Sequence, residues 1–517
     1  DFSDVQKIAL KGVLGANAST LKLSNLNLVP LDLDGDGHVN FLHMPKTKTY
    51  SVYDFVKVGD AYQLQGRVID AARGQSPKID FGKDTLDTQV MDVNFDGLVD
   101  VVVTTGTQVQ TFFSLGRLPG GDGQFGVGKF KTAATAELSV SPEARCVPHS
   151  GLPIRFSDSE TRVADMNADG IPDIVRLQSG AVRYWPGRGN GFWGTGERDD
   201  CPKDTFAQHR HVLMADSPTT FGEGLRLDDV NGDGYPDLVN IRFDEIDVWL
   251  NVNGEGWTKR KIVEGTPPTP DFLNRVRLVD VDGSGTRDVL WGNGNKYQYI
   301  DLQGGTRPWI LTEVNNGLGK TTNLEYTSSA DEMLVARADG KPWDSTVPMV
   351  MHLVKRMTET DNLNVLGHGP RRYVTEYSYR DPVYDGRQRE FRGFREATST
   401  TFGDDNSPTS HARSEFLLGE CAYEDGSACA VSDQSFDNPN EALKGLPVVS
   451  ESYDDGGVYL STSHTHYTLR KLYRGLDGRG VVYAFAQSNT AWAYDTSNPA
   501  AFSSPSQVTL ETVTPEA

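Results

Sequence analysis

"DVNGDGYPD", Asp229–Asp237, packs three carboxylates, one asparagine and two glycines into nine residues. Such crowding asks for a bound cation, or for a turn that favours Asp and Asn because their side chains bond their own backbone. The stretch is not alone. "DLDGDGHVN" starts at Asp32, "DVNFDGLVD" at Asp92, "DMNADGIPD" at Asp165 and "DVDGSGTRD" at Asp280. The five starts are separated by 60, 73, 64 and 51 residues, so one structural unit is used again and again.

All copies share one anatomy. Position six is always glycine (Gly37, Gly97, Gly170, Gly234, Gly285), which predicts a positive φ there. Position two is apolar (Leu33, Val93, Met166, Val230, Val281) and is predicted to enter the core while the acids face away. Two apolar residues after position nine begin a strand in every copy: Phe41-Leu42, Val101-Val102, Ile174-Val175, Leu238-Val239 and Val289-Leu290. A second strand follows in "VQTFF", "AVRYW", "IDVWL" and "KYQYI", and glycine-rich turns such as "GRGNGFW" and "NVNGEGW" close the unit. One repeat therefore reads strand, acidic loop, strand, turn, strand, turn. A unit of short strands cannot bury its faces alone, and radial stacking into a β-propeller solves that problem.

The loops offer oxygen ligands at positions one, three, five and nine and a backbone carbonyl at seven, a set suited to Ca2+. The candidates are Asp32, Asp34, Asp36, His38 and Asn40 in the first copy, and Asp92, Asn94, Asp96, Leu98 and Asp100 in the second. The third offers Asp165, Asn167, Asp169, Ile171 and Asp173; the fourth Asp229, Asn231, Asp233, Tyr235 and Asp237; the fifth Asp280, Asp282, Ser284, Thr286 and Asp288. His38, Leu98, Ile171, Tyr235 and Thr286 enter through their carbonyls. No EF-hand is meant, since position twelve lacks the bidentate Glu and strands flank the loop. Three aspartates in each of five copies make up most of a formal charge of −21. Neighbouring carboxylates repel by about 1 kcal/mol or more per pair, so a structural cation is the expectation. Backbone-capping Asx turns are the competing reading, and they explain one or two acids per loop.

So acidic a chain is ill suited to nucleic acid or anionic lipid. No apolar stretch is long enough for a transmembrane helix. The chain starts at Asp1 and reads as a piece of a longer protein or a processed form. Cys421 and Cys429 bracket a turn-rich loop, and Cys146 and Cys201 could pair across strands; disulfides and free thiols both stay open. HExxH, GxSxG, a P-loop and a strand-borne GxGxxG are all absent, which argues against an enzyme. His209/His211 and His464/His466 alternate along strands and read as surface pairs. Arg387, Arg389, Arg392 and Arg395 could meet an acidic partner, but a salt-bridged strand is the plainer reading. Trp185, Phe192, Trp193, Trp249 and Trp257 could cap blades or form a docking rim, and packing between blades is the plainer reading for most of them.

The five copies resemble FG-GAP/VCBS repeats, the units of integrin-like propellers. After about residue 305 the period stops. There follow "NNGLGKTTNLEY" (315–326), "KPWDSTVPMVMHLVKRM" (341–357), "YDGRQREFRGF" (384–394) and "ALKGLPVVSESYDDGG" (442–457). In this order the chain resembles the TcB-type subunit of bacterial Tc toxin complexes, the SpvB/TcdB-like family. The resemblance implies an all-β chain: an FG-GAP/VCBS propeller of about six blades over residues 1–305, then shell strips over 306–420 and 421–517. Residues 1–30 are expected to complete a sixth blade with strands after Asp288. The strands of the second half are also legible directly, in "RRYVTEYSYRD", "VYLSTSHTHYTLRKLY" and "VVYAFAQSNTAWAYD".

The resemblance further implies a secreted, non-enzymatic carrier. Its propeller would dock on a pore-forming TcA-like pentamer and gate release, and its strips would help to hold a toxin cargo beside a YD-repeat TcC-like polypeptide. The family's N-terminal shell segment, YD-repeat array and aspartic self-cleavage site have no counterpart in these residues. The alternative is a secreted, calcium-stabilised adhesion propeller that binds a glycan or protein; a hydrolase comes third.

Overall fold

The computed structural model describes residues 8–10, 21–33, 39–44, 49–58, 61–70, 77, 87–105, 108–116, 129–138, 146–147, 154–196, 206–268, 275–294, 296–305, 307–363, 369–385, 390–421, 438, 440–475, 480–494 and 506–512. The fold is all-β, and the chain divides into two units. One is Asp1–Val281 with Thr286–Pro308; the other is Asp282–Gly285 with Trp309–Ala517.

The first unit is a set of small sheets that follow the repeats. The first sheet runs in the order Ala9–Leu10, Ala61–Asp70, Thr49–Val58, Asn40–His43, Leu28–Leu31. The fourth shows the repeat most simply: Leu225–Asp228, the acidic loop, Asp237–Ile241, Glu245–Trp249, then an outer strand Lys261–Glu264. Between the last two strands, "NVNGEGW" forms the ribbon Asn251–Val252/Gly256–Trp257. The fifth sheet has three strands, Val276–Val279, Asp288–Asn293 and Lys296–Ile300.

Four hydrophobic clusters join these sheets in chain order. Leu33, Leu42 and Val52 of the first sheet pack with Val101 and Phe112 of the second. Val93 and Val102 pack with Ile174 and Trp185 of the third. Met166 and Val175 pack with Leu238 and Trp249 of the fourth. Val230 and Val239 pack with Val276, Val289 and Trp291 of the fifth. Each position-two residue thus faces the next sheet, which accounts for the burial of Leu33, Val93, Met166 and Val230. Val281 departs from the expectation: it is 40% exposed, because none of these clusters stacks a further sheet on the fifth. The idea that residues 1–30 join strands after Asp288 also fails. Among the described residues, Ala9–Leu10 and Leu28–Leu31 belong to the first sheet, whereas Asp288–Asn293 and Lys296–Ile300 belong to the fifth.

Trp185, Trp193, Trp249 and Trp257 are buried, and Phe192 packs against the cluster of Trp185 and Trp193, in line with the packing reading. His209 corrects the surface reading. It is 4% exposed, with its ring centroid 5.8 Å from that of Phe192.

The second unit is built on one ten-stranded antiparallel sheet in strict chain order, from Glu313–Asn315 to Ser506–Thr512. Its longest strands, Arg372–Asp385, Tyr459–Arg474 and Gly480–Ala493, are those read in the sequence. Few of their side chains are buried, so this is a single layer rather than a two-sheet core. Among the described residues one α-helix went unread, Ser329–Ala338. Its signal was Ser-x-x-Asp: Ser328 caps the helix by accepting the Asp331 N–H at 3.0 Å and donates to the Asp331 carboxylate at 2.9 Å. Among the described residues no helix is long and apolar enough to cross a membrane.

Candidate functional site

The acidic loops join the first and second strands of their sheets, and their backbone explains the glycines. Position six sits at φ near 80–90° in Gly97, Gly170 and Gly234, where a Cβ is strained. Position four is also left-handed, at Phe95 (60°), Ala168 (55°) and Gly232 (74°). Neighbouring loops touch at these places. A Cβ on Gly170 would lie 2.9 Å from the Phe95 ring, and one on Gly234 would lie 3.8 Å from the Ala168 Cβ. The loops therefore line one rim of the sheet stack.

Position nine turns inward. Asp100, Asp173 and Asp237 are fully buried, and each accepts two backbone N–H groups. One comes from position two of its own loop: Val93 at 3.2 Å, Met166 at 2.8 Å and Val230 at 3.1 Å. The other comes from the residue 22 places after the loop start, Ser114, Gly187 or Asn251, each at 2.8 Å. Burial pushes these three carboxyls up to about 7, against the pull of the two N–H donors, and the loop's other aspartates add to the rise. The first copy reaches the same end with exchanged polarity. Asn40 accepts the Leu33 N–H at 2.9 Å and donates its amide to Asp54, again 22 residues from the loop start, at 3.1 Å.

The same offset links successive repeats. Ser114 Oγ donates to the Leu33 carbonyl at 3.0 Å, and Asn251 Nδ2 donates to the Met166 carbonyl at 3.0 Å. Gln303, one place later in its repeat, donates to the Val230 carbonyl at 3.0 Å. Each acceptor is position two of the preceding loop. In the third repeat the position is Gly187, where a Cβ would lie 2.4 Å from the Pro172 carbonyl oxygen. These latches were missed in the sequence, although their constant offset was there to find.

The remaining acids divide between the two readings. In loops two to four they make Asx-type bonds: Gly97, Gly170 and Gly234 donate to the position-one carboxylate at 2.9, 2.7 and 2.9 Å. Asn94, Asn167 and Asn231 each donate to the position-five carboxylate at 2.9 Å. In loop five, Asp280, Asp282 and Asp288 bring carboxylate oxygens within 4.8 Å of one another, the one such group among the described residues. This donor set fits a hard divalent cation. In the first loop Asp34, Asp36 and His38 lie outside the described residues.

The two described arginines of the run, Arg392 and Arg395, are both salt-bridged. Arg392 occupies a bulge: Tyr384 pairs with Phe391 and Val383 with Gly393, so Arg392 is the extra residue between them. Its buried guanidinium meets the Asp385 carboxylate at 2.6 Å, Glu441 at 2.8 Å, and the carbonyls of Leu418 and Gly419 at 3.4 and 3.1 Å. Gly393 sits at φ 122°, and its Cβ would lie 3.1 Å from Leu418. Phe394 packs on Trp343, Tyr379 and Phe391. "REFRGF" is thus a clamp that joins strands Arg372–Asp385 and Glu390–Thr401 to the turn at Glu441. Arg395 pairs at the surface with Glu420, at 2.6 Å, while Arg387 and Arg389 lie outside the described residues. Cys421 is disulfide-bonded, and no cysteine among the described residues is free. Cys201 and Cys429 lie outside them.

Residues 251–418 match the family described as the insecticide toxin TcdB middle/N-terminal region. Among solved structures, the Photorhabdus luminescens Tc holotoxin pore is similar over 91% of this chain and 24% of its own, at 17% identity and a TM-score of 0.57. A TcdB2–TccC3 complex is similar over 91% of this chain and 26% of its own, at 19% identity and a TM-score of 0.52. The same pair without its hypervariable C-terminal region gives 90%, 25%, 19% and 0.53. The chain spans about a quarter of the length of these Tc chains. No curated protein matches it.

Proposed function

We propose, from the match of residues 251–418 to the TcdB middle/N-terminal region, that the chain is a TcB-type, non-enzymatic carrier segment of a Tc-like toxin complex. The stacked sheets form a propeller of about six blades that docks on a pore-forming TcA-like pentamer and gates release. The ten-stranded sheet forms part of the wall of a cargo-holding shell, completed by a YD-repeat TcC-like polypeptide. The complex is secreted and serves virulence.

The observation that carries this reading is the second unit: ten consecutive antiparallel strands in one layer, with almost no core of its own. A sheet this long and thin suits a wall, since strands that bury little need other surfaces to complete them. The latches of Ser114, Asn251 and Gln303 support a continuous stack, since each ties its repeat to the one before it. Calcium is proposed as the structural ion of the loops. Asp280, Asp282 and Asp288 would hold it in loop five, with the corresponding acids in the other copies. Bound there, the ion would neutralise the loop and pin two strands together.

The test is assembly. The chain is mixed with a TcA-type pentamer and a TcC-type polypeptide and followed by light scattering and electron microscopy. The proposal expects a ternary particle with the sheet stack seated on the pentamer. Failure to join either partner, together with tight binding to a glycan array, would replace it with the adhesion reading.

A further inference from the structure

One face of the ten-stranded sheet carries a cavity of 280 Å³ lined by Glu451, Tyr459, Thr462, His464, Trp492 and Tyr494. The strand register assembles it. Glu451 lies opposite Thr462, and Thr462 opposite Trp492, in one row across three strands. His464 and Tyr494 stand two residues along from members of that row and so share its face. The walls are ordered by their own contacts: the His464 ring meets Trp492 edge-on at 5.2 Å, and Tyr494 OH lies 3.1 Å from Thr462 Oγ1.

Carboxylates outnumber the guanidinium of Arg413 beside this row. Arg413, opposite Glu451 in the next strand, is shared by Glu451 at 3.0 Å, Glu396 at 2.7 Å and Glu415. Three carboxylates surround one guanidinium, leaving an excess of negative charge beside aromatic walls. Carboxylate charge and aromatic faces together favour an organic cation, attracted by the first and stacked on the second. Arg413 shows within the protein that a guanidinium suits this surface. The volume fits one side chain, not a folded partner.

We propose that this pocket receives the guanidinium or ammonium group of an arginine or lysine side chain carried by an extended polypeptide lying along the sheet. The proposal rests on the carrier reading only for the source of that polypeptide. The pocket itself is tested without any partner subunit.

The experiment uses the full chain labelled with 5-fluorotryptophan, the Trp492 resonance being assigned with Trp492→Phe. Acetyl-Ala-Arg-Ala-amide, its lysine and citrulline counterparts, free guanidinium and N-acetylglucosamine are titrated at constant ionic strength. A saturable Trp492 shift is expected with the arginine and lysine peptides, with citrulline and free guanidinium at least tenfold weaker. Glu451→Gln should weaken the arginine peptide about tenfold. Glu415→Gln, at a more exposed site, should weaken it severalfold and guards against a folding defect in the first variant. Equal binding of citrulline, or tighter binding of the sugar, overturns the cation. Equal binding of free guanidinium overturns the polypeptide. No saturable shift with any probe overturns the pocket. Failure of the chain to join a pentamer would leave all of these results intact and would count against the carrier reading alone.

Discussion

Replacing Arg392 by methionine should loosen the middle of the ten-stranded sheet while leaving its strands paired. Methionine keeps the stem volume and removes the charge. The side chain is 1% exposed, whereas its partners Asp385 and Glu441 are 19% and 38% exposed. Removing one member of a buried ion pair costs roughly 3–5 kcal/mol, and hydrogen bonds to charged groups contribute about 1.5–3 kcal/mol each. Because both carboxylates keep some water, the lower end applies: about 3 kcal/mol. That corresponds to amide exchange about a hundredfold faster in strands Arg372–Asp385, Glu390–Thr401 and Ser410–Leu417. Arg392→Lys keeps the charge but cannot span four acceptors, so about half of the loss should remain. Arg395→Met is the control. It lies three residues along the same strand, and its pair with Glu420 is about half exposed on both sides, so roughly 0.5 kcal/mol or less is expected. Hydrogen exchange followed by mass spectrometry reads all three. Equal protection in Arg392→Met and Arg395→Met would refute the clamp.

Three more expectations follow from the same geometry. Burial alone would raise the Glu441 carboxyl, but the hydrogen bond and charge of Arg392, then those of Lys444, hold it below its ordinary value of 4.5. A depressed carboxyl stabilises above its unfolded value and loses that contribution as pH falls through the folded one; the Arg392→Met deficit should therefore be steady from pH 7 to about 5 and shrink in more acid solution, as denaturant midpoints at each pH would show. Asn251→Ala strands the Met166 carbonyl and the Gly254 N–H, both buried bonds, and should cost about 2–3 kcal/mol with faster exchange at the junction of the third and fourth sheets; no change would remove the latch. Chelation should lower the melting temperature and calcium restore it, with Asp282→Asn cutting calcium uptake at loop five in titration calorimetry; uptake unchanged in that variant would exclude the site.

Much of this architecture was legible because period and alternation survive in one dimension. The loops, their glycines and the strands after position nine are local, and local rules decide them. The second-half strands were equally plain, because alternation over fourteen or sixteen residues admits little else. What escaped is what depends on pairing across distance. Ser114 and Asn251 look like loop residues until a neighbouring repeat supplies the carbonyl. Arg392 looks like any surface charge until a bulge turns it inward. His209 alternates like an exposed strand residue, yet the ring of Phe192 packs against it. Position nine reads as a ligand by composition, while the fold also gives it two backbone donors. Asn40 reads as a weakened copy, but Asp54 makes it an equivalent one.

The strict chain order of the long sheet has a consequence for synthesis. Each strand finds its neighbour already made as it leaves the ribosome, across a connection that closes at little entropic cost. Growth by accretion needs no distant segment to arrive first. The nascent wall can therefore lengthen one ribbon at a time, each new strand pairing on the edge left by the last.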